Sequence, residues 1–216
     1  MSSDTTLQHT VTAELIWDPA VISSEIGVTA KDGIVSLSGQ VGTYDEKLAA
    51  EAAARRVHGV KALVQEIEVH VPFSFKRSDV DVATTAVARL AWNVAVPQDS
   101  ISVKVSKGVI TLRGEVNHHF QSEAAGRELR HLSGVVAVDN FVTVRPQVHV
   151  SDVSANINAA LDRSWLFDPA AVTVSADGGI VYLGGTVRNL RERREAMDAA
   201  WASPGTTSVV NNIGVV

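Results

Sequence analysis

Asp32-Gly33-Ile34-Val35-Ser36-Leu37-Ser38-Gly39-Gln40-Val41 is written three times in this chain. It returns as Lys107-Gly108-Val109-Ile110-Thr111-Leu112-Arg113-Gly114-Glu115-Val116 and as Gly178-Gly179-Ile180-Val181-Tyr182-Leu183-Gly184-Gly185-Thr186-Val187. Each copy reads as one strand leaving a two-residue hairpin turn, whose glycine (Gly33, Gly108, Gly179) supplies the positive φ that such turns need. Alternation puts Val35, Leu37 and Val41 on one face and Ser36, Ser38 and Gln40 on the other. A second glycine, Gly39, Gly114 or Gly185, falls on the inward face, where a missing side chain admits a bulge or a close backbone approach.

Working outward, the flanking patterns repeat too. Before the strand, Leu7, Val11, Leu15 and Ile16 make a helical stripe ending near Trp17-Asp18-Pro19, and Ile26, Val28 and Ala30 alternate as a first strand. After it, Thr43 with Glu46 reads as a capping box opening a helix with Leu48, Ala49, Ala52, Ala53 and Val57 on its buried side. His58-Gly59 ends that helix, and a last strand carries Ile67, Val69 and Val71 up to Pro72. The second copy follows at an offset of 75, with Val80, Ala83, Val87 and Leu90 before Trp92, a strand over 101–105, a helix from Phe120 to His131, and Gly134 in the place of Gly59. The third follows at 71, with a strand over 172–176, a helix from Leu190 to Trp201, Gly205, and a last strand through Val209, Ile213 and Val215.

The expected architecture is therefore α+β: three tandem repeats over 1–72, 78–146 and 151–216, each in the order α-β-β-α-β, with two helices on one face of a three-stranded mixed sheet. The crossover helix makes the second and third strands parallel. The linkers Phe73-Ser74-Phe75-Lys76-Arg77 and Gln147-Val148-His149-Val150 carry apolar residues and almost no glycine, which predicts docked units rather than tethered ones.

Composition narrows the function. The net charge is −5, divided as −5 over residues 1–75, +2 over 76–146 and −2 over 147–216, a poor balance for neutralising nucleic-acid phosphates. Arg188, Arg191, Arg193 and Arg194 are interleaved with Glu192 and Glu195, the pattern of a solvated helix face. Cysteine is absent, which removes thiolate metal sites and disulfides. Met1-Ser2-Ser3-Asp4-Thr5-Thr6 has no basic or apolar leader character, so a cytoplasmic location is expected, and no run of about 18 apolar residues predicts a membrane span.

The combination of Asp32-Gly33 through Val41 with Val57-His58-Gly59-Val60 resembles the BON domain (bacterial OsmY and nodulation). Gly108 through Val116 with Leu132-Ser133-Gly134-Val135 is similar, and the third copy keeps Gly179 through Val187 but has Ser203-Pro204-Gly205-Thr206 at the second motif. The resemblance implies a triple-BON protein, transport-associated or linked with osmotic stress, with phospholipid interaction or, in one kind of member, potassium binding. It implies no cofactor.

Residue by residue, the motif glycines read as structural. No phosphate-loop fingerprint, catalytic triad or zinc spacing stands out, so neither an enzyme nor a metal site is expected. His118, His119 and His131 read as surface histidines. Trp17, Trp92 and Trp165 stand near the ends of the first helices and are the candidates for contact with lipid headgroups or a partner; packing on the sheet edge or a neighbouring repeat is the other reading. Glu14 and Asp18 argue against an anionic bilayer. A potassium site of turn carbonyls, for instance at Lys31-Asp32-Gly33, would leave no side-chain signature. An edge strand over 64–71 is a further route to a protein partner or a self-assembled oligomer, with Glu66 and Glu68 as protection.

Overall fold

The structure is a computed structural model, which describes residues 3–145, 157 and 171–216. The first repeat comprises α1 (Ser3–Trp17), β1 (Ile26–Lys31), β2 (Ile34–Val41), α2 (Tyr44–Arg56) and β3 (Ala62–Val69). The second comprises α3 (Asp79–Trp92), β4 (Ile101–Ser106), β5 (Val109–Val116), α4 (His119–Leu129) and β6 (Ala137–Val144). The third has β7 (Val172–Asp177), β8 (Ile180–Val187), α5 (Leu190–Ala202), β9 (Ser208–Asn211) and β10 (Gly214–Val215). In every repeat the quoted strand is central, antiparallel to the strand before it and parallel to the strand after the helix. The third repeat's last strand is interrupted at Asn212-Ile213, yet β9 and β10 keep one register along β8.

The hairpin glycine meets the glycine that ends the second helix: a Cβ at Gly33, Gly108 or Gly179 would lie 3.2, 2.6 or 2.8 Å from Gly59 O, Gly134 O or Gly205 O. Gly33 O accepts from Lys61 N (2.9 Å), Gly108 O from Val136 N (3.0 Å) and Gly179 O from Thr207 N (2.8 Å), so the hairpin fixes where each last strand begins. The turns carry positive φ at both central positions, 54° and 82° at Asp32-Gly33. On the inward face, a Cβ at Gly39, Gly114 or Gly185 would lie 2.0 Å from Glu25 O, Ser100 O or Ala171 O respectively. The first strand thus enters over a bare backbone, and the close approach expected from the sequence occurs in all three copies.

Leu37, Leu112 and Leu183 are each buried beneath their own repeat's helix and sheet, at about 1.5–3 kcal/mol for each side chain. The first helix of the second repeat is rotated from its expected stripe, and α1 departs from its own only at Ile16. Val82, Ala86 and Leu90 are buried while Val80 and Val87 are exposed, and in α1 Val11 and Leu15 are buried while Ile16 is not. The cause is an anchor at the N-terminus: Asp79 accepts from Lys107 N (2.7 Å) and Gly108 N (2.9 Å), and Asp4 accepts from Asp32 N (3.0 Å). A carboxylate tied to the hairpin turns the stripe at i, i+3, i+7 and i+11 inward. Ser78 and Asp81 complete a capping box there.

The helix after the strand also departs from its expected face. Ala50, Ala53 and Ala54 are buried, Ala52 is exposed and Leu48 half-buried. Thr43 Oγ1 accepts from Glu46 N (3.1 Å) as expected, but the Glu46 carboxylate does not return to Thr43; it accepts from Gly42 N (3.0 Å) and Ile22 N (2.9 Å). Glu192 does the same for Arg188 N (2.9 Å), whereas Gln121 accepts from both Asn117 N and the N-cap His118 N (both 3.0 Å).

Candidate functional site

The repeats are docked, though not through the first linker, where Phe73 and Phe75 are exposed; Gln147-Val148-His149-Val150 lies outside the described residues. The joint is the first residue of each second helix, where Tyr44, His119 and Leu190 occupy equivalent places. Tyr44 packs against the second repeat's core and its hydroxyl meets the Val138 backbone; burial, the larger effect, raises its pKa. His119 stacks on Trp201 of the third repeat, ring centroids 4.0 Å apart and 13° from parallel. Leu190 is buried in the first repeat's core. Each repeat therefore reaches into the next, and the third reaches back to the first. Three head-to-tail contacts of one kind close a ring.

Polar contacts support two of the joints. His131 Nδ1 lies 2.6 Å from Asp45 Oδ2 between repeats one and two. His58 Nδ1 lies 3.1 Å from Arg188 O between one and three. His119 is half-buried beside Glu123 (3.7 Å), and desolvation holds its pKa below the ordinary imidazole value. The surface reading of the histidines is thus corrected for His119, which the repeat-to-repeat joint partly encloses. His118 stacks on Phe120 at 5.6 Å.

The ring is not equally filled at its joints. A cleft of about 570 Å³ lies between repeats two and three, lined by His118, Phe120, Arg127, Arg145, Arg194 and Trp201 among others. Only about 160 Å³ remains beside Tyr44 at the first joint. Arg145 pairs with Glu115 (3.0 Å) and Arg194 with Asp198 (3.8 Å), whose carboxyl is pushed up by desolvation. Of these lining residues, His118 reads in sequence as a surface histidine and Arg194 as part of a solvated helix face, and none of them reads as part of a site. The signal was present in the spacing: Trp201 is at the third-repeat position corresponding to Arg55 and Arg130, so an aromatic ring there is an anomaly within the period.

Of the tryptophans singled out by sequence, Trp17 is 83% exposed and Trp92 87% exposed; Trp165 lies outside the described residues. Packing on a sheet edge or neighbouring repeat does not hold for these two rings. The structure does not bring them into the cleft. Around Trp17, Glu14 and Asp18 are both tied to Arg56 at 2.9 Å, and that guanidinium lowers the Asp18 pKa. At the hairpin considered for potassium, the Gly33 carbonyl is already taken by the Lys61 and Ala62 amides. Among the described residues, no group of three or more His, Asp and Glu could hold a metal ion, and no helix is long and apolar enough to cross a membrane.

Glycine-fixed hairpins, mixed three-stranded sheets and two-helix layers, repeated in tandem, define the α+β class to which the sequence pointed. The BON domain model matches residues 3–70, 78–146 and 149–216, and the chain belongs to the BON domain family. Osmotically-inducible protein Y of Escherichia coli (strain K12) is 29% identical over 141 residues, which is 63% of this chain and 70% of that protein. Among solved structures, the C-terminal domain of CdsD, the structural protein of the type III secretion system of Chlamydia trachomatis, aligns over 97% of both chains at 18% identity. Its TM-score is 0.27, a value that informs neither fold nor function.

Proposed function

We propose that the chain is a non-enzymatic binding protein of the osmotic stress response that meets phospholipid headgroups through Trp17 and Trp92. The observation that carries this reading is the pair of bare indoles at the same place in two repeats, the last residue of α1 and of α3. Tryptophan favours the membrane–water interface because one ring offers both apolar area and an N–H donor. Ile16 and Ile22 beside Trp17, and Val94 beside Trp92, are exposed too and extend the apolar surface. Equivalent points in a closed ring share one level along its axis, which supports a single surface meeting both indoles. Pairing of Glu14 and Asp18 with Arg56 reduces the repulsion that their charges would offer an anionic headgroup. Family membership and the osmotically inducible relative supply the stress context.

Flotation with phosphatidylcholine and phosphatidylglycerol vesicles tests the reading. The wild-type chain floats with vesicles, and Trp17→Ala with Trp92→Ala lowers the partition coefficient by about tenfold or more for each ring lost. If the wild type stays at the bottom of the gradient with both lipids, or the double variant floats equally well, the lipid reading is wrong.

A further inference from the structure

The three joints of the ring are one device in three versions, and comparing them isolates the cleft. Leu190 is buried in the first repeat's core, and Tyr44 leaves about 160 Å³ beside it. At the corresponding place His119 is met by Trp201, and about 570 Å³ stays open, within the roughly 300–1,000 Å³ of small-molecule sites. Packing alone does not call for that opening, since the joint at Tyr44 holds its repeats together with about 160 Å³ open and Leu190 is buried at the third.

The lining chooses the ligand. Flat rings stand on both sides of the joint, His118 stacked on Phe120 from the second repeat and Trp201 stacked on His119 from the third. Three guanidiniums, Arg127, Arg145 and Arg194, face two carboxylates, Glu123 and Asp198. Arg145 and Arg194 are already paired, with Glu115 and Asp198. Arg127 is exposed and makes no ion pair among the described residues. A planar guanidinium with a free fork suits a carboxylate or sulfonate, and a neighbouring indole suits a flat ring.

We propose that the cleft between the second and third repeats binds a small aromatic anion, its ring among Phe120, His118 and Trp201 and its acid group on Arg127. This site is separate from Trp17 and Trp92 and does not depend on the lipid reading.

Calorimetric titration of the full chain with naphthalene-1-sulfonate, cyclohexanesulfonate and 1-naphthylmethylammonium tests it, with amide chemical shifts to locate the contact. The aromatic sulfonate binds one to one and shifts the amides of residues 117–120, 127, 201–203 and 205–206, the saturated sulfonate binds more weakly, and the ammonium does not bind. Arg127→Gln weakens the aromatic sulfonate about tenfold to a hundredfold, as expected for a charge-assisted hydrogen bond. Because Arg127 is exposed, that variant keeps its fold, which its unchanged amide spectrum will show. The variant lacking Trp17 and Trp92 binds the sulfonate like the wild type. The proposal is overturned if no probe binds at millimolar concentration, if the ammonium binds as tightly as the sulfonate, if Arg127→Gln changes nothing, or if the shifted amides lie elsewhere.

Discussion

Gly39→Ala puts the strand-crossing geometry to a quantitative test. The residue has a φ of +131°, and an added Cβ would sit 2.0 Å from Glu25 O and 3.1 Å from its carbonyl carbon. Both partners are backbone, so no side chain can swing away; β1 must shift from β2, or the peptide at Gly39 must turn over. A strained φ costs about 1–3 kcal/mol and forced overpacking about as much again, which together give about 2–6 kcal/mol. The matched control is Gly42→Ala in the same repeat, where the nearest atoms lie 3.8–3.9 Å away and φ is not in the left-handed region. Relief of unfolded-state entropy makes that change neutral or stabilising by up to about 1 kcal/mol. Urea unfolding followed by circular dichroism compares the two. With a slope of about 1–3 kcal/mol per molar, the Gly39 variant should lose at least about 0.7 M from the midpoint of its first transition while the control holds. Equal midpoints for the two variants would refute the close approach.

The other predictions concern the joints. Leu190→Ala removes a buried side chain from the first repeat's core although it belongs to the third; it should cost about 2–4 kcal/mol and raise amide exchange in α2 as well as α5, and protection lost in α5 alone would deny the contact. His119 has a folded-state pKa lowered from 6.5 by desolvation, so the unfolded chain takes up its proton first. Its contribution to stability is present above about pH 6.5 and is lost as pH falls through the lowered value; Asp198, raised from 3.8, acts in the opposite sense at lower pH because its folded form holds the proton more tightly. Denaturation midpoints measured from pH 7.5 downward should fall below pH 6.5 in the wild type and less so in His119→Gln, and identical profiles would count against the stacked joint. Asp79→Asn removes the charge that holds Lys107 N and Gly108 N at 2.7 and 2.9 Å; hydrogen exchange at those two amides should rise, and unchanged rates would show that the carboxylate does not hold the hairpin.

What the sequence made legible follows the physics of repetition. Glycines at the hairpin and on the inward face are demanded by backbone geometry, so they recur, and with them the strand order, the parallel crossover and the buried leucines could be read directly. Helix rotation was harder, because residues 80, 83, 87 and 90 have helical spacing as good as 82, 86 and 90. A hydrogen bond that the Asp79 carboxylate accepts from a hairpin 28 residues away decides between them. The offset of 75 held that answer, since Val82, Ala86 and Leu90 stand opposite Leu7, Val11 and Leu15. The joints were hidden for a different reason. Tyr44, His119 and Leu190 share a place but no chemistry, so pattern matching passes over them, and Trp201 belongs to no triplet. Trp17, Trp92 and Trp165 were visible as a recurring group, but only the structure places Trp17 and Trp92 in solvent.

Closure of the ring is the claim on which the joints, the cleft and the common level of the tryptophans all rest, and X-ray scattering of the monomer in solution tests it most directly. Three repeats with the third returning to the first give a compact particle with a radius of gyration of about 17 Å. The same units strung in a row would give about 25 Å, and a value near that figure would contradict the head-to-tail ring.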